Sequence, residues 1–405
     1  MSTAYSPVLT EAETRAFEAA RAKFPGALTQ SYIDVASRGL MPGHAPQLAH
    51  DHLMDRVHGR ADKKAYFRTV ERARAGIARL LGAQPQDIAI TKNISEGLNI
   101  VATAIDWRPG DEVFLCSGVE HPSNIYVWRN LENLGVKVRD FPAVEGEFPT
   151  DAVIHALEGR HQARVVTVSG TSFVPGLRAD LDRLGAACRR AGARLVVDGA
   201  QSVGITHLDM ARMPVDALSM STQKGLCSVY GMGFLYVRQE FAQTLSPRYL
   251  SRFGVDIPAT HEADYDPGPV KYQPGALRFD LGNYNFLGAT LAADTLDLLN
   301  ELGTAAVDRH VTALATRLAG NLADAGAPMH AAAAGRRANI VCIESRQGPG
   351  PVADLQQHLN DCNVKAALRR NVVRFSFHFY NNVADVEAAE AASATWLRKH
   401  ARTLA

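Results

Sequence analysis

Four short stretches of this chain carry side chains with reactive potential, each next to an apolar run. In Asp216-Ala217-Leu218-Ser219-Met220-Ser221-Thr222-Gln223-Lys224-Gly225 the run delivers Lys224 between hydroxyls and a glycine. A lysine in an apolar pocket has a lowered pKa and can form an imine with a carbonyl compound, whereas an isolated lysine is ordinarily a solvated surface charge. In Leu195-Val196-Val197-Asp198-Gly199-Ala200-Gln201-Ser202 a buried strand is expected to end in a carboxylate followed by small residues and an amide. Open α/β sheets bind ligands at the carboxyl ends of their strands, although an aspartate that caps a helix would give the same pattern. Val119-Glu120-His121-Pro122-Ser123-Asn124 supplies His121, which can lie flat on an aromatic ligand, move a proton, or simply complete a turn. Thr91-Lys92-Asn93-Ile94-Ser95-Glu96-Gly97 is a polar turn into a helix that begins near Ser95. Free N–H groups and a hydroxyl at a helix N-terminus suit a phosphate; taken alone, Ser95 reads as an N-cap.

Together the four stretches meet the demands of one cofactor. Pyridoxal 5'-phosphate needs a lysine for its aldehyde, an acid to keep its ring nitrogen protonated, a planar group against the ring and a helix end for its phosphate.

The scaffold for these groups is legible in the hydrophobic patterning. From about Asp87 onward, short β-branched runs alternate with helical stretches: DIAIT, DEVFLC, VKVRDF, ARVVTVS and ARLVVD separated by SEGLNIVATAI, NIYVWRNLENLG and ADLDRLGAACRRAG. Near-continuous apolar strands in a βαβ rhythm predict a mostly parallel sheet buried on both faces by helices. DALSMS and GMGFLYV add two strands on either side of Lys224. After about Phe286 the pattern turns to Ala/Leu-rich helices with the shorter strands NIVCIES and VVRFSF, predicting a smaller α+β unit. At the other end, Thr10 and Glu13 form a capping-box pattern ahead of Phe17, Ala20 and Phe24, and Pro25-Gly26 stops that helix. The expected organisation is a helical segment over 1–29, a large cofactor-binding domain over 30–285 and a small domain over 286–405. Leu245 to Pro274 has little periodicity but gathers Tyr249, Phe253, His261, Tyr265 and Tyr272, and reads as a loop at the site entrance or at a dimer interface.

Composition narrows the function class. The 405 residues carry 43 basic and 42 acidic side chains, so the broad basic field that nucleic acids or anionic membranes require is missing. Five scattered cysteines with no CxxC pair fit a reducing compartment, and no apolar run approaches the roughly 18 residues of a membrane span. The expectation is a cytoplasmic protein with a small-molecule substrate and neither nucleic acid nor membrane as partner. A dinucleotide enzyme is disfavoured because no GxGxxG follows the first strand.

On EHPSN (120–124), VDGAQS (197–202), STQKG (221–225) with GMGFLYV (231–237), and VRFSFHFYN (373–381), in this order, the chain resembles the class V aminotransferase and cysteine desulfurase superfamily of fold-type I pyridoxal-phosphate enzymes, which includes selenocysteine lyases and isopenicillin N epimerase. The resemblance implies that Lys224 holds the cofactor and shuttles protons, Asp198 pairs with the ring nitrogen, Gln201 meets the ring hydroxyl and His121 stacks on the ring. It further implies that Ser95, the backbone at Ile94, and Ser221 hold the phosphate, with Asn283 of Gly282-Asn283 reaching it across a homodimer interface. Arg374 would grip the α-carboxylate of an amino-acid substrate, and Arg38 would approach that substrate too. The chain also departs from the desulfurase pattern. The loop before the arginine strand, within NVKAALRRNVVRF, has no cysteine to carry a persulfide; Phe173 stands where relatives carry an asparagine, and Gln223 where they carry a histidine. The expected activity is a lyase acting on a carbon–sulfur or similar β-bond, with an aminotransferase or epimerase as alternative and a non-catalytic cofactor-binding sensor as the alternative from another class.

Overall fold

The computed structural model describes residues 9–159, 162–257, 264–400 and 404. Its twelve strands in chain order are β1 (Ser31–Tyr32), β2 (Ile88–Thr91), β3 (Glu112–Leu115), β4 (Lys137–Asp140), β5 (Ala163–Ser169), β6 (Arg194–Asp198), β7 (Ala217–Ser221), β8 (Gly233–Val237), β9 (Ile340–Glu344), β10 (Val364–Lys365), β11 (Ala367–Arg369) and β12 (Val372–Ser376). Seven of them form one sheet in the order β2-β8-β7-β6-β5-β3-β4. All neighbours pair in parallel except β8, which runs against both β7 and β2. Strands β6, β7 and β8 bury nearly every residue, which is why their sequences are apolar throughout rather than alternating. The architecture is α/β with a mostly parallel central sheet, as the rhythm of the sequence predicts.

Helices cover the sheet where amphipathic runs come after β2, β3, β4 and β5. Leu181–Ala191 turns Leu184, Ala187 and Cys188 inward, is capped by the Asp180 side chain on the Arg183 N–H and ends at left-handed Gly192. The first described helix, Glu11–Ala22, has the expected capping box between Thr10 and Glu13 and buries Phe17 and Ala20.

Two segments pair across the expected boundaries. β1 pairs in parallel with β10, and Asp34 bridges Ser376 at the end of β12. The strap from residue 31 to about 39 is therefore tied to the C-terminal sheet β11-β12-β9, although its sequence position assigns it to the large unit. Helix Phe286–Leu302 packs chiefly on helix Lys63–Leu80 of the large unit, with Leu296 against Gly76. Tertiary pairings between segments this far apart in the chain leave no local periodicity to read. Among the described residues, no helix is long and apolar enough to cross a membrane. Four cysteines are buried and Cys362 is exposed.

Candidate active site

Because β2, β3, β5, β6 and β7 point the same way, their carboxyl ends share one edge of the sheet, and the turns and loops beyond those ends form the site. β7 ends in Ser221, with Lys224 three residues on. β6 ends in Asp198, which lies in register with Ser169 of β5 on one side and Ser219 of β7 on the other. β3 leads to His121, β5 to Phe173 and β2 to helix Ile94–Ala104.

Burial pushes the Lys224 amine down to about 8; the charges of Arg374 and Arg369 act the same way and Asp198 opposes them. Asp198 is 2% exposed. Burial raises its carboxyl, while the Ala200 N–H and the Lys224 charge hold it down. Its Oδ1 accepts the Ala200 N–H at 2.8 Å. A buried carboxyl in that position is best satisfied by a cationic donor.

The turn that carries Lys224 is held from two sides. The Gly39 N–H donates to the Gln223 carbonyl at 2.9 Å, and a Cβ on Gly39 would lie 2.2 Å from the Lys224 carbonyl oxygen, so only glycine fits there. From beneath, His378 Nε2 donates to the Gly225 carbonyl at 2.8 Å while its Nδ1 accepts the Phe379 N–H at 2.8 Å. Burial pushes His378 down to about 4. The imidazole is therefore neutral and its tautomer is fixed by its two partners.

His121 remains exposed. Its Nδ1 accepts the Ser123 N–H at 3.2 Å, which leaves the proton on Nε2, and its ring meets Phe173 edge-on at 5.0 Å. Partial desolvation of its ring, and after it the charges of Lys224, Arg374, Arg370 and Arg369, push it below the usual histidine range. Behind it lies a buried network that begins from the two ends of the EHPSN stretch. Glu120 accepts the Ser169 N–H at 2.7 Å and an Asn124 Nδ2 hydrogen at 3.0 Å. Asn124 Oδ1 in turn accepts from Trp128 and Thr167. Burial pushes Glu120 up to about 7, with Asp198 adding to the effect.

At the helix after β2 the cap differs from expectation. Asn93, not Ser95, is the N-cap, its side chain accepting the Glu96 N–H at 2.9 Å. Ser95 falls in the first turn, where the leading N–H groups have no intrahelical acceptor, and its hydroxyl is not used for capping. Ser219 Oγ donates to the Ile94 carbonyl at 2.9 Å and fastens this helix end to β7.

Arg374, on β12, is fully buried. It donates to the Phe173 carbonyl at 3.1 Å and to Ser37 Oγ at 3.4 Å, with the Phe173 ring 5.0 Å from its guanidinium carbon. Burial lowers it to about 10, so it stays charged at neutral pH. Among the groups around this edge that are buried with an atom lacking a hydrogen-bond partner are Arg374 Nε, Gln201 Oε1 and Ser221 Oγ. Gln201 spends its Nε2 on the Ala36 carbonyl at 3.1 Å. Buried polar atoms are nearly always satisfied, and this set of cationic donor, acceptor and hydroxyl fits a polar, anionic ligand such as pyridoxal phosphate with an amino acid beside it.

Asn283 is exposed in a left-handed conformation at φ 44°. Gly282 before it seats against the Phe253 ring, where a Cβ would come within 1.8 Å. Arg38 is exposed and anchored by its backbone, its carbonyl accepting from the Tyr32 hydroxyl at 2.9 Å. In the 245–274 stretch, Phe253 stacks on Phe67 and meets Tyr284. Tyr249 and Tyr265 stand exposed, and His261 lies outside the described residues.

Comparisons with known proteins bear on the family and the fold. The profile of the family described as Aminotransferase class-V matches residues 52–389. An uncharacterized aminotransferase of Bacillus subtilis is 26% identical over 91% of this chain and 95% of its own length. A probable cysteine desulfurase of Pseudomonas putida is 28% identical over 91% and 95%. Among solved structures, the apo cysteine desulfurase of Thermococcus onnurineus superposes with a TM-score of 0.82 at 23% identity, covering 98% of this chain and 100% of that one. A cystine C–S lyase in complex with its product cysteine persulfide superposes at 0.79 and 22% identity, covering 92% and 99%. The chain belongs to the class-V aminotransferase family and is a pyridoxal-phosphate-dependent enzyme.

Proposed function

We propose that this enzyme is a lyase that breaks a carbon–sulfur bond at the β-carbon of an amino-acid substrate, and that it works as a homodimer. The observation that carries the reading is the pairing of Lys224 and buried Asp198 after neighbouring strands, near a buried guanidinium, Arg374, with no salt bridge among the described residues. The relatives named as cysteine desulfurases and the neighbour named as a cystine C–S lyase favour this bond over others.

When bound, pyridoxal phosphate supplies an electron sink for the pair released at the substrate's α-carbon. Lys224 would hold the cofactor, and its free amine would take and return the α-proton at Nζ. Asp198 would accept from the ring N–H and stabilise its positive charge. Gln201 Oε1 would accept from the ring hydroxyl, and His121 would cover the ring face and exclude water. Ser95, the Ile94 backbone and Ser221 would hold the phosphate. Arg374 binds the α-carboxylate, for which a bidentate guanidinium is better suited than an ammonium, and Arg38 borders the substrate. Asn283 contacts the phosphate of the neighbouring subunit; its exposure, together with that of Tyr230, Tyr249, Tyr265 and Leu281, supports a surface covered by a second copy.

Sulfur is not relayed through a cysteine of the hairpin β11–β12, which has none. Cys362 sits upstream at the end of helix Pro349–Asp361. Incubating the holoenzyme with cysteine, cystine and cysteine conjugates plus 2-oxo acids is expected to give pyruvate and ammonia in equal amounts, unchanged in Cys362→Ser. A new amino acid formed from the acceptor, or α-proton exchange alone, would overturn the lyase assignment in favour of transamination or epimerisation.

The depressed amine gives a pH signature. Neutral Lys224 is the reactive form, so the rate at which apoprotein takes up pyridoxal phosphate is expected to rise with pH and level off above about 8. An ordinary lysine would still be gaining reactivity near pH ~10. Stopped-flow absorbance reads the difference, and a rate still climbing at that pH contradicts the assignment.

A further inference from the structure

The cations at this site outnumber what one amino-acid carboxylate needs. Residues Arg370 and Asn371 form the two-residue turn of the hairpin β11–β12, Arg370 in the left-handed region at φ 52°. Arg369 pairs directly with Val372 across this hairpin, and Arg374 lies two residues beyond Val372. Directly opposed residues of an antiparallel pair share a face, and so do residues i and i+2 of one strand. Arg369 and Arg374 therefore project from the same face, and both reach one hydroxyl: Nη2 of Arg369 donates to Ser37 Oγ at 2.6 Å and Nη2 of Arg374 at 3.4 Å. Neither guanidinium has a salt bridge among the described residues. An acid within reach of their charges is Asp34, which is 7% exposed, hydrogen-bonded with Ser37, and pushed up by burial against the charges of Arg374, Arg369 and Arg38. The fields of Arg369 and Arg370 also reach His121 together with those of Lys224 and Arg374. Like charges gathered in this way repel one another unless an anion comes between them.

We propose that the substrate carries a second acidic group on its side chain, and that Arg369 is the residue that selects it while Arg374 takes the α-carboxylate. This rests on the reading of the site given under Proposed function and narrows its substrate class to amino acids with an anionic side-chain end. The Phe173 ring, edge-on to His121 and under the Arg374 guanidinium, supplies an apolar wall for the carbons that join the two acids.

Calorimetric binding of straight-chain dicarboxylates of three to five carbons to the holoenzyme, each against the monocarboxylate of equal length, tests the assignment without turnover. One dicarboxylate is expected to bind at least tenfold tighter than its monocarboxylate. Arg369→Met is expected to abolish that preference and leave monocarboxylate binding within about twofold, Arg369→Lys to restore part of it, and Arg374→Met to weaken both ligand classes. No dicarboxylate preference in the parent enzyme, a preference that survives in Arg369→Met, or equal loss of both classes in that variant would overturn the proposal; the last outcome would mean that both arginines serve a single carboxylate. Absorbance of the lysine-bound cofactor, recorded on the same samples, reports separately whether the underlying reading holds.

Discussion

Lys224→Ala is expected to lower turnover by at least about 10⁴-fold, because in the proposed mechanism one substitution removes both the covalent anchor of the cofactor and the base nearest the substrate's α-carbon. Groups that act as a unit lose nearly everything when one member goes. The fold is expected to survive. The Lys224 amine is held well below its ordinary range by burial, so its charge is a cost to the folded state, and the turn around it is fixed by backbone bonds from Gly39 and by His378 rather than by the lysine side chain. The measurement is steady-state turnover alongside thermal unfolding. A variant that unfolds normally yet keeps more than a few per cent of activity would remove Lys224 from the mechanism.

Asp198→Asn is the second large effect, a loss of about 10³-fold in kcat. Asparagine keeps the shape and the acceptor for the Ala200 N–H but cannot stabilise a positive charge on the ring nitrogen, so under the proposed roles the electron sink would weaken while substrate binding through Arg374 would persist. The loss therefore falls in kcat rather than KM. Stability of the apoprotein is expected to hold or rise, since burial disfavours the Asp198 charge and a neutral amide relieves it. Equal losses in kcat and apoprotein stability would mean that Asp198 serves packing alone.

What the sequence makes legible is the part of the site made by single strands. Val196, Val197 and Asp198, or Met220 and Ser221 before Lys224, are contiguous, and a strand buried on both faces announces itself by an unbroken apolar run. A polar residue at the end of such a run stands out. The parts that stay hidden are assembled from distant segments. Ser37 and Asp34 reach the site because a two-residue strand at Ser31 pairs with another at Val364, and two residues carry no periodicity. Arg369 reads as one charge in a polar hairpin until the register of β11 on β12 puts it on the Arg374 face. Glu120 looks like a surface acid beside His121, and only the folded chain reveals the Ser169 and Asn124 donors that bury it. His378 lies inside one of the stretches that carry the family resemblance, yet its bond to the Gly225 carbonyl depends on the segment after β12 passing beneath the lysine turn. The Asn93 cap is within reach of sequence, since asparagine caps as well as serine; starting the helix at the Ser95 hydroxyl places the cap two residues late.

Borohydride reduction of the protein reconstituted with pyridoxal phosphate, with proteolysis and mass analysis of the peptides, is the decisive measurement. A single reduced pyridoxyl-phosphate adduct on Lys224, at one per chain, is the expected result. An adduct on another lysine, or none despite saturating cofactor, would contradict the assignment of this amine, beside Asp198 at the edge of the sheet, as the place where the chemistry begins.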